Sequence, residues 1–261
     1  MIQIRAIPAF QDNYIWLLSE NSSQQCLVVD PGDAVVVEQS LEAWGLELSG
    51  ILVTHHHWDH TNGIEALTKN RNIPVYGPDN EAITSITHPL RDSDTFTVLN
   101  THFQILKTPG HTLDHIVFFS IPDQGDPFMF CGDTLFSAGC GRLFEGTAEQ
   151  MQSSFDKLRS LPENTRIYCT HEYTLANLAF AKAVEPENHS IDNYLNRVTQ
   201  LRQQHRPSLP STIKLELTIN PFMRTDQNSV ITAVKEHAPD TTLSSEAEVF
   251  GALRQWKDRF Q

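Results

Sequence analysis

Residues 54–60 read Thr-His-His-His-Trp-Asp-His, and four of the seven are metal-ligand types: His55, His57, Asp59 and His60. They follow the apolar run Gly50-Ile51-Leu52-Val53, which reads as a buried strand. Side chains at i and i+2 of an extended segment point the same way, so His55 and His57 can converge on one ion. Asn62-Gly63 is a turn signal, and the turn can aim Asp59 and His60 at a second point. Two imidazoles on one point, and a carboxylate with an imidazole on another, are what a two-metal site requires.

Three further residues suit the same ions, because borderline metals such as zinc are held by imidazole nitrogen and carboxylate oxygen. His111 lies in Thr108-Pro109-Gly110-His111-Thr112, after the strand-like Phe103-Gln104-Ile105-Leu106. Asp133 follows Phe128-Met129-Phe130-Cys131-Gly132, and His171 follows Ile167-Tyr168-Cys169-Thr170. Each stands just beyond a short apolar run, where an α/β sheet presents its functional groups. A lone histidine after a strand is more often a hydrogen-bonded structural residue. Seven ligand types in this arrangement are enough for two ions with positions left for water. Such ions lower the pKa of bound water and polarise an acyl carbonyl, which is hydrolytic chemistry. No G-x-S-x-G nucleophile elbow is present. His56, His88, His102, His189, His205 and His237 read as structural, His56 because it alternates with the ligands. His115 is a candidate to support a ligand or to bond within the core.

The elements that must position these residues alternate between strand and helix. Strands are predicted over 14–18, 26–29, 73–76, 95–98, 103–107 and 116–120, and helices over 34–44, with Gly45 as the stop, and 65–69. Residues 147–158 open with Thr147 followed three residues later by Gln150, a capping pair. After His171 the character changes. Residues 175–184 are Ala-rich and helical, 190–204 place apolar residues on one helical face, and 249–257 read as a final helix. Periodicity alone therefore gives an α/β class with a mostly helical last third.

Composition excludes several functions. There are 32 carboxylates against 19 Lys plus Arg, a net charge of −13, which opposes a nucleic-acid partner. No apolar run approaches the roughly 20 residues that cross a bilayer, and no signal-peptide pattern opens the chain. Cys26, Cys131, Cys140 and Cys169 have no C-x-x-C or disulfide-framework spacing and read as reduced thiols, consistent with a cytoplasmic protein.

The series T-H-x-H-x-D-H, P-G-H-T, G-D-T-L-F and a late histidine resembles the ligand series of the metallo-β-lactamase superfamily. Within it, Ala9-Phe10-Gln11-Asp12-Asn13-Tyr14, Gly139-Cys140-Gly141-Arg142-Leu143-Phe144-Glu145-Gly146-Thr147 and His171-Glu172-Tyr173-Thr174 are similar to the hydroxyacylglutathione hydrolase (glyoxalase II) family. The likeness covers essentially the whole chain. It implies an αββα sandwich over residues 1–171 that binds the metals, followed by a smaller, mostly helical glutathione-binding region over 172–261. It implies one divalent ion on His55, His57 and His111, a second on Asp59, His60 and His171, and Asp133 bridging both. Zinc is the first choice of metal, and the family also accepts iron and manganese. The implied reaction is hydrolysis of S-D-lactoylglutathione and related 2-hydroxyacyl-glutathiones by a metal-bridging hydroxide, which Asp59 also orients. That is the second step of methylglyoxal detoxification.

The resemblance further implies that glutathione meets Arg142, Phe144, Tyr173, Arg254 and Lys257. Arg142 stands where lysine is often found, and Phe144 where some members carry tyrosine, so one hydroxyl contact is lost. Arg254 and Lys257 are expected as exposed charges one helical turn apart, a local basic patch in an acidic protein. A small-molecule thioester taken by a monomer, with no nucleic acid and no membrane, completes the expectation. Four other readings compete. A lactonase or β-lactamase of the superfamily would lack the glutathione segments, and a persulfide dioxygenase would lack ligands for the second metal. A nuclease is opposed by the charge. A structural zinc scaffold would be closed and often cysteine-rich.

Overall fold

Strand alternation begins at once. Ile2–Ala9 (β1) and Asn13–Glu20 (β2) pair antiparallel, from Ile2 opposite Glu20 to Ala9 opposite Asn13. The computed structural model describes residues 2–21 and 23–260. The chain divides into two units that interleave in sequence. One holds the chain up to Lys107 together with Asp114–Gly132, and the other holds Thr108–Leu113 and everything from Asp133 onward.

In the first unit β3 (Gln25–Val29) leads through α1 (Ala34–Trp44) to β4 (Glu47–Leu52), which lies parallel to it. Asp33 caps α1 by accepting from Val35 N–H, and Gly45 ends it at φ 63°, in the left-handed region that glycine favours. Two short helices, α2 (Trp58–Thr61) and α3 (Ile64–Thr68), precede β5 (Val75–Pro78) and β6 (His88–Leu90). The sheet order is β1-β2-β3-β4-β5-β6. Val37 and Leu41 of α1 and Ile64 and Leu67 of α3 pack on Ile7, Ile15, Leu17, Val28 and Ile51, so one face of this sheet is covered by helices.

A second, antiparallel sheet follows from β7 (Thr95–Val98), β8 (Thr101–Lys107), β9 (Ile116–Ser120) and β10 (Phe128–Gly132). Its apolar face meets the first sheet through aromatic rings. Tyr76 stacks on Phe96 at 4.5 Å, and Phe103 packs edge-on against both Phe118 and Phe128 at 6.1 Å.

The second unit contains the hairpin β11 (Leu135–Phe136) and β12 (Gly139–Cys140), then α4 (Ala148–Arg159) and β13 (Arg166–Cys169). The capping pair at α4 forms in both directions, Gln150 N–H to Thr147 Oγ1 and Thr147 N–H to Gln150 Oε1. Next come α5 (Thr174–Val184), α6 (His189–Gln203), β14 (Ser211–Thr212), α7 (Ile213–Ile219), a 3-10 turn (Pro221–Met223), α8 (Asn228–His237) and α9 (Glu246–Arg259). Leu178, Ala181, Ile191, Tyr194, Val198 and Ile219 form their shared core around Ala138. Helix α7 departs from its sequence pattern: Ile-Lys-Leu-Glu-Leu-Thr-Ile alternates like a strand, yet buries Ile213, Glu216 and Ile219 at helical spacing.

Candidate metal centre and substrate pocket

In the first unit the heptad itself makes the turn, earlier than Asn62-Gly63. β4 ends at Leu52, His57 stands at the N-cap of α2, and Asp59 and His60 lie within that single helical turn. The turn Asp30-Pro31-Gly32 packs backbone against backbone beneath it, since a Cβ on Gly32 would lie 1.9 Å from the Asp59 carbonyl oxygen.

Asp30 fixes the ring nitrogens of two of these histidines. It is buried at φ 53°. Its Oδ1 accepts from Thr54 N–H at 2.7 Å, and its Oδ2 accepts from Thr54 Oγ1–H at 2.8 Å. The same Oδ2 lies 3.0 Å from His60 Nδ1, and its charge at that distance favours the proton on that nitrogen and the lone pair on Nε2. Because Thr54 Oγ1 spends its hydrogen on Asp30, it accepts from His55 Nδ1–H at 3.1 Å, which leaves His55 Nε2 bare. That nitrogen lies 3.0 Å from His57 Nδ1, and His60 Nε2 lies 3.5 Å from Asp59 Oδ2. Asn13 Nδ2–H donates to the same Asp59 Oδ2 at 3.0 Å. His115 stacks on His55 at 4.7 Å with 21° between the planes, so it supports a ligand through its face.

The second unit holds a set of its own. Asp133 Oδ2 lies 3.4 Å from His111 Nε2 and 3.3 Å from His171 Nε2, one carboxylate oxygen shared by two imidazoles. His111 Nδ1–H donates to the Arg142 carbonyl at 2.9 Å, which again leaves Nε2 bare. Gly141 permits this approach, because a Cβ there would sit 2.0 Å from Asp133 O and 3.0 Å from His111 Nδ1. His171 stacks flat on Tyr173 at 4.8 Å. Donor atoms each about 2.0–2.2 Å from one ion lie roughly 3–3.5 Å from each other. The spacings within each unit match that, and every donor is nitrogen or oxygen, so the residues fit divalent ions.

Arg142, Phe144, Tyr173, Arg254 and Lys257 line one cleft of about 530 Å³ in the second unit, and His111 and Asp133 line it as well. The cations differ sharply. Arg142 is exposed, with Nε 3.8 Å from Asp258 Oδ1. Arg254 is only 6% exposed, contrary to the solvated charge expected from the sequence. Its Nη1–H donates to the Cys140 carbonyl at 3.0 Å, its Nη2 pairs with Asp258 at 3.1 Å, and its guanidinium lies over the Phe222 ring. The reason is that α9 lays this residue on the β11–β12 hairpin. Burial pushes the Cys140 thiol up to about 11 against the pull of Arg254, so it stays neutral. Lys257 is half-buried, and its Nζ–H donates to Ala176 O at 2.9 Å. Burial, then the neighbouring Arg254, brings its pKa down to about 8.

The hairpin that separates Asp133 from Arg142 is held by groups the sequence did not flag. Glu216, fully buried, accepts from Ala138 N–H at 2.7 Å and from Ser137 Oγ–H at 2.9 Å. Asn220 Nδ2–H donates to Phe136 O and Gly139 O, and Asn177 Nδ2–H donates to Ser137 O. Burial raises the Glu216 pKa, and its hydrogen-bonding neighbours oppose that. Asp30 did carry a signal: like Asp133, it is a carboxylate directly after an apolar strand, and the Pro-Gly that follows disguised it as a simple turn.

Two family models divide the chain end to end. Residues 10–171 match the metallo-β-lactamase superfamily, and residues 172–260 match the hydroxyacylglutathione hydrolase C-terminus. Curated relatives agree over the full length. A hydroxyacylglutathione hydrolase of Chromohalobacter salexigens is 51% identical over 260 residues, covering 100% of both chains. One of Pseudomonas aeruginosa is 51% identical over 263 residues, again covering 100% of both. Among solved structures, ETHE1 from Myxococcus xanthus superposes with a TM-score of 0.65 over 98% of each chain at 23% identity, a likeness of fold.

Proposed function

We propose, because this chain belongs to the hydroxyacylglutathione hydrolase family of the metallo-β-lactamase superfamily, that it hydrolyses S-D-lactoylglutathione and related 2-hydroxyacyl-glutathiones to glutathione and the 2-hydroxy acid. It is a metal-dependent thiolester hydrolase with the metallo-β-lactamase fold and a helical C-terminal region. The observation that carries the substrate is the cleft, where His111 and Asp133 share a wall with Arg142, Arg254 and Lys257. A divalent metal ligand set beside three cations suits a glutathione thioester, with its two carboxylates, better than a neutral lactone or a β-lactam with a single ring carboxylate. It would place this enzyme at the second step of methylglyoxal removal.

In this reading His55, His57 and His111 would hold one divalent ion, Asp59, His60 and His171 would hold the other, and Asp133 would serve both. The nitrogen and oxygen donors suit zinc, with iron and manganese as alternatives. When bound, such ions supply Lewis acidity that makes water nucleophilic near neutral pH and polarises the thioester carbonyl. The protein's own contribution is orientation. Asp30 favours a bare Nε2 on His55 and His60, and the Arg142 carbonyl does so on His111. Asn13 holds one oxygen of Asp59 and so orients the carboxylate that would position the attacking water. Arg142, Lys257 and Tyr173 receive glutathione, with Arg254 shaping the wall behind them and Phe144 offering an apolar edge. A glutathione thiolate leaves readily, so no general acid is needed.

The labour divides between residues 1–171, which carry the metal ligands, and 172–261, which complete the glutathione cleft. We read the enzyme as a monomer of the cytoplasm. All four cysteines are free, buried thiols, and among the described residues no helix is long and apolar enough to cross a membrane. The test is a side-by-side assay of S-D-lactoylglutathione, a β-lactam and a lactone, with metal content measured on the same sample. Rapid thioester cleavage with two ions per chain is the expected result. Cleavage of the lactam or lactone alone would overturn the reading.

A further inference from the structure

The cleft contains one carboxylate besides the metal ligand Asp133. Asp258, on α9, lines it beside Arg142, Arg254 and Lys257. Both ion pairs of Asp258 use Oδ1, to Arg254 Nη2 at 3.1 Å and to Arg142 Nε at 3.8 Å. The side chain is 43% exposed, so part of the carboxylate is open to the cleft. A carboxylate that served only to neutralise Arg254 could lie anywhere along that guanidinium. This one sits on the cleft wall, part-exposed between Arg142 and Arg254.

The charge pattern of the ligand explains why an acid belongs there. At neutral pH an S-acylglutathione carries two carboxylates, at its glycine and γ-glutamyl ends, and one α-ammonium beside the latter. Apart from Asp133, the cleft offers three cations and one anion, an excess of positive charge with a single acid among it. Without an acceptor the ammonium would face only cations and be repelled, whereas opposite charges matched across an interface give specificity. Asp133 lies between two imidazoles and is not available for this.

We propose that Asp258 determines specificity by pairing with the free α-ammonium of the substrate's γ-glutamyl end. This rests on the glutathione-thioester reading above. It predicts discrimination against an analogue in which the α-amino group is replaced by hydrogen, which removes the charge without adding bulk.

The experiment is steady-state kinetics on S-D-lactoylglutathione and its deamino analogue, with the wild-type metal-loaded enzyme and Asp258→Asn. The wild type should lose about tenfold in kcat/KM on the analogue, mainly through KM, as expected for a partly exposed charge-assisted contact. Asp258→Asn should treat the two within about twofold, an erasure that a purely structural role would not produce. Equal rates for both compounds in the wild type, or an undiminished preference in the variant, would overturn the proposal. Failure to cleave either compound would instead overturn the thioester reading. If Asp258→Asn does not fold, product inhibition of the wild type decides: weaker inhibition by deaminoglutathione than by glutathione supports the proposal, and equal inhibition ends it.

Discussion

The candidate ligand cluster in the first unit and the cation-lined cleft in the second are both polar, but they are built on opposite terms. Around His55 and His60 the surroundings are close and polar: both rings are fully buried, and one carboxylate, Asp30, bonds Thr54, which in turn contacts His55, and lies 3.0 Å from His60 Nδ1. Around Arg142 and Lys257 the charges are partly exposed and lightly held, by one distant carboxylate and one backbone carbonyl. The contrast follows from what each must do. A metal ligand needs a lone pair aimed permanently at one point, so it is worth burying. A substrate-binding cation must exchange its partner for a ligand in every cycle, and a deeply satisfied ion pair would resist that. Arg254 belongs with the first group by its burial, although it lines the second site.

The contrast breaks most visibly at Asp30. Asp30→Asn can still accept one hydrogen bond but no longer carries the charge that holds Nδ1–H of His60. Metal affinity should fall by about tenfold to a hundredfold, the usual cost of removing an outer partner of a metal-binding histidine. Competition with a chromophoric chelator measures it. The KM of the fully loaded variant should stay close to wild type, since no substrate contact changes. Unaltered metal affinity would show that the tautomers are set elsewhere.

The same contrast explains what the sequence disclosed. Candidate ligands stand just after apolar strands, and that local signature singled out His55, His57, Asp59, His60, His111, Asp133 and His171 without a fold. Helix α6 was legible from its apolar spacing and α5 from its alanines. The groups that hold the site were not, because their partners are remote in sequence. Asp30 acts through Thr54 and His60, and Glu216 acts on Ser137 and Ala138 across nearly eighty residues. A buried glutamate inside an alternating Ile-Lys-Leu-Glu-Leu segment looks like a solvated strand position until α7 turns it inward. The burial of Arg254 was equally hidden, since one turn of a charged helix reads the same whether it faces water or a hairpin.

Substitutions at the two arginines sharpen the comparison. Arg254→Ala removes the hydrogen bond to the Cys140 carbonyl and leaves that buried oxygen without its donor, so it should cost about 1–3 kcal/mol of stability. Arg142→Ala, at an exposed residue, should change stability by less than about 0.5 kcal/mol. It should raise KM a few-fold instead, an effect that shrinks as salt rises. Thermal unfolding of both variants beside kinetics at two ionic strengths separates these outcomes. Equal stability losses would put Arg142 with the buried framework.

Lys257 gives the smallest effect and the finest test of the cleft. Its pKa is lowered to about 8, by burial first and then by Arg254, so the free enzyme loses this positive charge as pH rises through that value. Below about 8 the ammonium is present and available to a glutathione carboxylate; above it the neutral amine is a weaker partner. Binding the carboxylate favours the charged form and raises the pKa in the complex. The profile of kcat/KM, which reports the free enzyme, should therefore bend downward near pH 8, while that of kcat stays flat through the same window. The drop should amount to a few-fold, about what a half-exposed ion pair contributes. Other groups can titrate nearby, including the substrate's own ammonium, so Lys257→Met is the control: it should start at the lower kcat/KM and lack this bend. A bend of equal size in both proteins would assign the titration to another group. Lys257 would then be a framework cation like Arg254, and the lightly held side of the comparison would rest on Arg142 alone.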